Sequence, residues 1–218
     1  MPLRAVLWDM DGLLVDTEPV WTVAEEELAT LLGGVWSEQL KATIVGTRLE
    51  VAVAAILEHY GSPAGPEDVF WTSQWLLGRM VELFAAGPVA MPGVVALLDA
   101  LRAAGVPVGL VSSSYRVLVD AVLRAGLGPF DVTVAGDEVT DGKPNPEPYL
   151  VAAARLGVDP GDCVVLEDSV AGVLAGEAAG CTVVAVPSVV GVSIVPGPRI
   201  VLRASLEGLD VAALRALV

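Results

Sequence analysis

The chain has 218 residues, room for one large domain or for a core carrying a smaller one. Apolar residues make up 54%, which excludes intrinsic disorder, and 27 acidic side chains against 12 basic ones leave a net charge of -15. No run of Lys and Arg exists to lie along a phosphate backbone or an anionic bilayer, so neither nucleic acid nor membrane is expected as a partner. A single His (His59) and two Lys (Lys41 and Lys143) disfavour His-based triads and His-rich zinc sites. Two cysteines, Cys163 and Cys181, form neither a CxxC pair nor a disulfide framework, and a reducing compartment is expected. Acids at Asp9 and Asp11 come too soon for a signal-peptide apolar region, so the expectation is a cytoplasmic protein, by default a monomer. The uncharged stretch from Ala178 to Pro198 is long enough to span a bilayer, but Gly180, Pro187, Gly191, Pro196, Gly197 and Pro198 punctuate it. Its runs Thr182–Val186 and Val189–Val195 read better as a buried strand followed by a loop.

In chain order, the first apolar run is Arg4–Trp8. Amphipathic patterns follow at Val20–Leu32, Leu49–Tyr60 and Glu67–Phe84. Beyond them, apolar runs at Val106–Val111, Asp131–Val134, Cys163–Leu166 and Thr182–Val186 alternate with helical stretches at Val94–Ala104, Tyr115–Ala125, Pro148–Leu156, Val170–Ala179 and Val211–Leu217. The runs are β-branched and scarcely alternate, as strands buried on both faces of a parallel sheet should be. Gly105, Gly126, Gly157 and Gly180 stand where left-handed helix ends want glycine. The expectation is an α/β fold with a doubly wound parallel sheet. Too much chain separates Trp8 from Val106 for one crossover, and a structureless loop of that length is implausible. Residues 16–90 are therefore expected to form an inserted α-helical domain, with residues 1–15 and 91–218 forming the core. His59 is expected on the surface, and Trp36, Trp71 and Trp75 in the core of the insertion.

Ligands of an open α/β sheet bind beyond the carboxyl ends of its strands. Four polar clusters fall there or in the adjoining turns: Asp9-Met10-Asp11-Gly12, Ser112-Ser113-Ser114, Gly142-Lys143-Pro144-Asn145-Pro146 and Glu167-Asp168-Ser169. Four acids on an apolar scaffold repel one another unless a cation compensates, and an oxygen-only donor set suits a hard ion, Mg2+ foremost. Ser112, its neighbour Ser113 and the Lys143 ammonium could take phosphate oxygens, which makes the clusters read as a phosphoryl clamp. Of the Asp9–Asp11 pair, one carboxylate could attack phosphorus and the other handle the proton.

Those four ordered motifs, written DMDGLLVDTEP, the serines after VGLV, GKPNPEPY and VVLEDSVAG, resemble the haloacid dehalogenase-like superfamily. They are most similar to its β-phosphoglucomutase-like and sugar-phosphate phosphatase branch, and the resemblance covers essentially the whole chain. It implies a Rossmann-like core with strand order 3-2-1-4-5 and a helical cap after the first motif. It further implies Asp9 as nucleophile, Asp11 as general acid and base, and Ser112 and Lys143 as phosphate-stabilising groups. Mg2+ would be held by Asp9, the main-chain carbonyl of Asp11 and Asp168, with Glu167 a ligand or an acid just behind the ligands. The implied reaction is hydrolysis of a small phosphorylated metabolite, a sugar phosphate first, through an aspartyl-phosphate. Substrate-contacting candidates from the cap are Thr17, Glu18, Trp21 and Arg48.

Each cluster alone has a plainer reading: a surface turn for DMDG, a helix cap for the serines, a solvated lysine, acids favouring a helix start. The four together, in order, favour the shared site. A phosphomutase is the alternative reaction, but mutases of this branch carry a His on the first cap helix where this chain has Trp21. Dehalogenases lack the second acid, here Asp11. Phosphonatases need a cap lysine, for which Lys41 is the lone candidate. A non-catalytic binding module on the same fold is the reading from a different class.

Overall fold

A computed structural model describes residues 2–44, 47–85, 87–188 and 194–218. Its strands are β1 (Ala5–Trp8), β2 (Val15–Asp16), β3 (Val89–Ala90), β4 (Val108–Val111), β5 (Val132–Val134), β6 (Cys163–Glu167), β7 (Thr182–Ala185) and β8 (Ile200–Leu202). Among the described residues, six of them form one sheet in the order β5-β4-β1-β6-β7-β8, with every neighbouring pair parallel. Numbered along the chain, those sheet strands run 3-2-1-4-5-6. That is the order the family resemblance implied, extended by an edge strand that the apolar pattern did not disclose. Ile200–Leu202 is three residues long and only its first is buried, so it carries no two-faced apolar run.

The chain divides into two compact units, Met1–Thr17 with Pro88–Val218, and Glu18–Gly87. In the second, the helices are α1 (Glu18–Leu31), α2 (Glu38–Ile44), α3 (Leu49–His59) and α4 (Pro66–Phe84). In the first they are α5 (Val94–Ala103), α6 (Arg116–Arg124), α7 (Glu147–Leu156), α8 (Val170–Ala178) and α9 (Val211–Arg215). The antiparallel pair β2–β3 lies in the first unit, on the two stretches of chain that lead to and from the inserted helices.

All residues of β1, β4 and β6 are buried, which explains why, Glu167 at the end of β6 apart, they are apolar without alternation. Ala5, Leu7, Val111, Val165 and Val183 join Tyr149 and Ala152 of α7 and Val173 of α8 in one cluster. Burial of each such Val or Leu contributes about 1.5–3 kcal/mol, so the central strands are held far more firmly than any surface pair could hold them.

In the inserted unit, α4 buries Ser73, Leu76, Leu77, Met80 and Phe84, a stripe at helical spacing. Trp71 and Trp75 fall off that stripe and are 63% and 37% exposed, which corrects their expected place in a core. Trp36 does pack, partly buried, against the cluster of Leu28, Leu40, Ile44 and Ile56. His59 is exposed at the end of α3. No helix among the described residues is long and apolar enough to cross a membrane. Of the uncharged stretch, Thr182–Ala185 is β7, Val186 follows it outside any strand, and residues 189–193 of the second run lie outside the described residues.

Candidate active site

The first strand delivers Asp9 at its carboxyl end, where the Asp9 amide still donates to Leu166 O at 3.0 Å and so continues the pairing with β6. There the chain reverses. The amides of Leu14 and Val15 both donate to Met10 O, and Gly12 takes a positive φ of 82°. A side chain at Gly12 would also meet the Asp168 carboxylate and the Ser188 hydroxyl, so glycine is required there twice over. The turn carries Asp11 beside the end of β4, where Ser112 is buried.

Lys143 reaches in from the loop before α7. Its ammonium donates to Asp9 Oδ1 at 2.5 Å, to Glu167 Oε1 at 2.6 Å and to the carbonyl of Val111 at 2.9 Å. Burial works against that charge, but Asp9 and Glu167 outweigh it and hold the ammonium above the ordinary lysine pKa. Glu167, fully buried, has both oxygens in use. Oε1 accepts from Lys143 and from the Tyr149 hydroxyl at 2.8 Å. Oε2 accepts from the Asp168 and Ser169 amides, each at 3.1 Å, and from the Ser169 hydroxyl at 2.9 Å. Ser169 in turn caps α8 by accepting from the Gly172 amide.

Asp11 follows two residues after Asp9. Ser112 and Ser114 donate to its Oδ2 at 3.0 and 2.8 Å, while its buried Oδ1 accepts no hydrogen bond from the described residues. Burial raises its pKa against the pull of the Ser114, Ser112 and Thr17 hydroxyls. Burial likewise lifts Asp9 well above the usual carboxylate range, with Glu167 adding to the shift and Lys143 opposing it. Asp168, to which Ser188 donates a short hydrogen bond, is pushed up to about 7, chiefly by burial. Crowded acids that resist ionisation are the electrostatic signature of a place prepared for positive charge. Asp9, Glu167 and Asp168 each offer an oxygen within 4.8 Å of the others. The donors are all oxygen, with no imidazole or thiolate among them, so the set fits Mg2+ and not a softer ion.

Thus Asp9, Asp11, Ser112, Lys143, Glu167 and Asp168 converge, and Thr17 is buried within reach of Asp11. Ser113 is exposed beside them. The remaining candidates lie in residues 18–87. Glu18 pairs with Lys41 at 3.2 Å, and Lys41 also donates to Thr22 Oγ1 at 2.6 Å. Trp21 is partly buried on α1, and Arg48 is exposed ahead of α3. Gly46, two residues before Arg48, is outside the described residues. Three contributors went unassigned in the sequence: Ser114, Tyr149 and Ser188. A signal existed for Ser114, two residues beyond Ser112, and for Ser188, just past the carboxyl end of β7. Tyr149 closes the GKPNPEPY motif, but the motif alone gives it no role.

The profile of haloacid dehalogenase-like hydrolases matches residues 3–180. The bifunctional riboflavin kinase/FMN phosphatase of Arabidopsis thaliana is 37% identical over 84% of this chain, which spans only about half of that relative, 48%. Hexitol phosphatase A of Escherichia coli (strain K12) is 37% identical over 85% of this chain and 84% of its own length. Among solved structures, a mutant of CbbY from Rhodobacter sphaeroides in complex with xylulose-(1,5)bisphosphate superposes with a TM-score of 0.86 at 28% identity, covering 97% of this chain and 99% of that one.

Proposed function

The chain belongs to the haloacid dehalogenase-like hydrolase family, and from that premise we propose that it is a Mg2+-dependent phosphomonoesterase acting through an aspartyl-phosphate at Asp9. The family is one of hydrolases, and the two curated relatives named above carry phosphatase names. The single observation that carries the chemistry is the bond of 2.5 Å from a buried lysine to Asp9, with a second acid, Asp11, whose Oδ1 is left free of hydrogen bonds from the described residues. Asp9 attacks phosphorus, and the bond to the leaving oxygen breaks as Asp11 gives that oxygen its proton. Asp11, now a carboxylate, takes a proton from water as the water attacks the phosphoryl group, which releases phosphate and regenerates the Asp9 carboxylate. Lys143, Ser112 and Ser113 hold the phosphate oxygens.

Mg2+ would be held by Asp9, Asp168 and the main-chain carbonyl of Asp11, with Glu167 beside them. When bound, it supplies positive charge to balance the carboxylates against an incoming dianion. The substrate class is a small phosphorylated metabolite, a sugar phosphate first, in keeping with the hexitol phosphatase and the bisphosphate complex of CbbY. Residues 18–87 act as a cap that supplies specificity, with Glu18, Trp21 and Arg48 as its candidates for substrate contact, and Thr17, in the core unit beside Asp11, as a fourth. The protein works as a cytoplasmic monomer.

Phosphate release from a panel of sugar phosphates, with Mg2+ and with a chelator, tests this. Turnover should need the cation and fall by roughly 10^3-fold or more in Asp9→Asn. Release that survives either change, or none from any member of the panel, overturns the reading.

A further inference from the structure

Tyr149 of α7 is fully buried among the apolar side chains of the sheet, where a phenylalanine would pack as well. Its hydroxyl is nonetheless committed to the site, donating to Glu167 Oε1 at 2.8 Å. The same oxygen accepts from Lys143, and the Lys143 ammonium lies 5.1 Å from the centre of the tyrosine ring. That ammonium therefore meets three acceptors, Asp9, Glu167 and Val111 O, and an aromatic face, whose quadrupole also attracts a cation. Glu167 Oε2 is tied to the Asp168–Ser169 turn. Were the hydroxyl absent, Oε1 would be held by the lysine alone, and carboxylate and ammonium would be free to shift together. With it, Oε1 is pinned from two directions and the ammonium has one place to sit.

We propose that Tyr149 is a positioning residue whose hydroxyl and ring fix Glu167 and, through it, hold the Lys143 ammonium against the Asp9 carboxyl. This rests on the reading of Asp9 as the group that attacks phosphorus. As charge moves from Asp9 onto the phosphoryl oxygens, a cation already fixed between them stabilises the transition state without reorganising, whereas a mobile one must be ordered at that moment. The bound substrate meets the same pocket either way, so the effect belongs in kcat and not in KM.

The chain has only two lysines, so the nitrogen-15 side-chain resonance of Lys143 can be followed in the substrate-free protein, with Lys41→Arg assigning it. Tyr149→Phe should lower kcat about tenfold, leave KM within about twofold, and shift the Lys143 resonance while quickening its hydrogen exchange. Tyr149→4-aminophenylalanine, which restores a donor at the same place, should recover most of the lost kcat and return the resonance toward its native position. A general loss of packing would not be repaired by that donor. The proposal is overturned if Tyr149→Phe keeps a native kcat, if the Lys143 resonance does not move, or if the amino variant recovers nothing. Persistent turnover in Asp9→Asn would instead remove the reading of Asp9, and the ammonium resonance, which needs no turnover, separates the two failures.

Discussion

In the core unit the ion pairs that matter are sealed from water, with Lys143 4% exposed against Asp9 at 8% and Glu167 at 0%. Among the described residues of 18–87 the shortest ion pair is Arg79 with Glu27, at 30% and 40% exposure, and α4 leaves Trp71 and Trp75 exposed. The same side-chain chemistry therefore has different consequences in the two units. Removing one member of a buried pair leaves the other charge dry and uncompensated, so the core cannot vary Lys143, Asp9 and Glu167 one at a time. In the inserted unit α4 rests on an apolar stripe, and the ion pairs of Arg79 stand partly in water, where each contributes little.

The largest effect that would break this contrast is expected from Lys143→Met. It leaves Asp9 and Glu167 facing each other without a cation, and should cost about 3–5 kcal/mol in metal-free denaturant unfolding. Added Mg2+ should return part of that loss, since it binds the folded chain alone. A variant as stable as the native protein without metal would show that the pair is not as dry as its burial implies.

Two helix glycines sharpen the comparison. Gly→Ala inside a helix ordinarily stabilises by about 0.5–1 kcal/mol. At Gly78 of α4 a Cβ would meet nothing within 4 Å, and that gain is expected. At Gly172 of α8 the Cβ would fall on the Glu167 carboxyl, so Gly172→Ala should destabilise by about 1–3 kcal/mol and lower phosphate release as Glu167 is displaced. Thermal melts of the two variants should move in opposite directions.

The placement of the core chemistry was legible because strand ends are. A central parallel strand is apolar along its length, so the first polar residues after VLW and VVL fall at its carboxyl end, as Asp9 and Glu167-Asp168 do. What stayed hidden was the partner each side chain meets, which depends on geometry. Tyr149 contributes through one oxygen of a residue 18 positions away. Ser188 bonds Asp168 from a loop whose course follows from the sheet and not from its own residues. Helix α2 is only seven residues long, too short to show a helical period. Trp71 and Trp75 misled because large apolar residues suggest a core, while the stripe of Leu76, Leu77, Met80 and Phe84 leaves them outside.

The smallest expected effect lies in the inserted unit. Arg79 holds the Glu27 carboxyl below its ordinary pKa. A depressed acid stabilises the folded chain above its unfolded-state pKa and loses that contribution as the pH falls through the folded one. Glu27→Gln should therefore lower the melting temperature slightly at neutral pH, and native and variant melts should converge in acid. An undiminished gap at low pH would mean that Glu27 acts through packing and not through its charge.

The account turns on the oxygen of Asp9 that bonds phosphorus. A crystal structure of the protein with Mg2+ and beryllium fluoride, a mimic of the phosphoryl group, reads this directly. Beryllium bonded to a carboxylate oxygen of Asp9, with fluorines facing Lys143 and Ser112, is the result expected. Beryllium bonded to Asp11, Ser112 or any other side chain would contradict it.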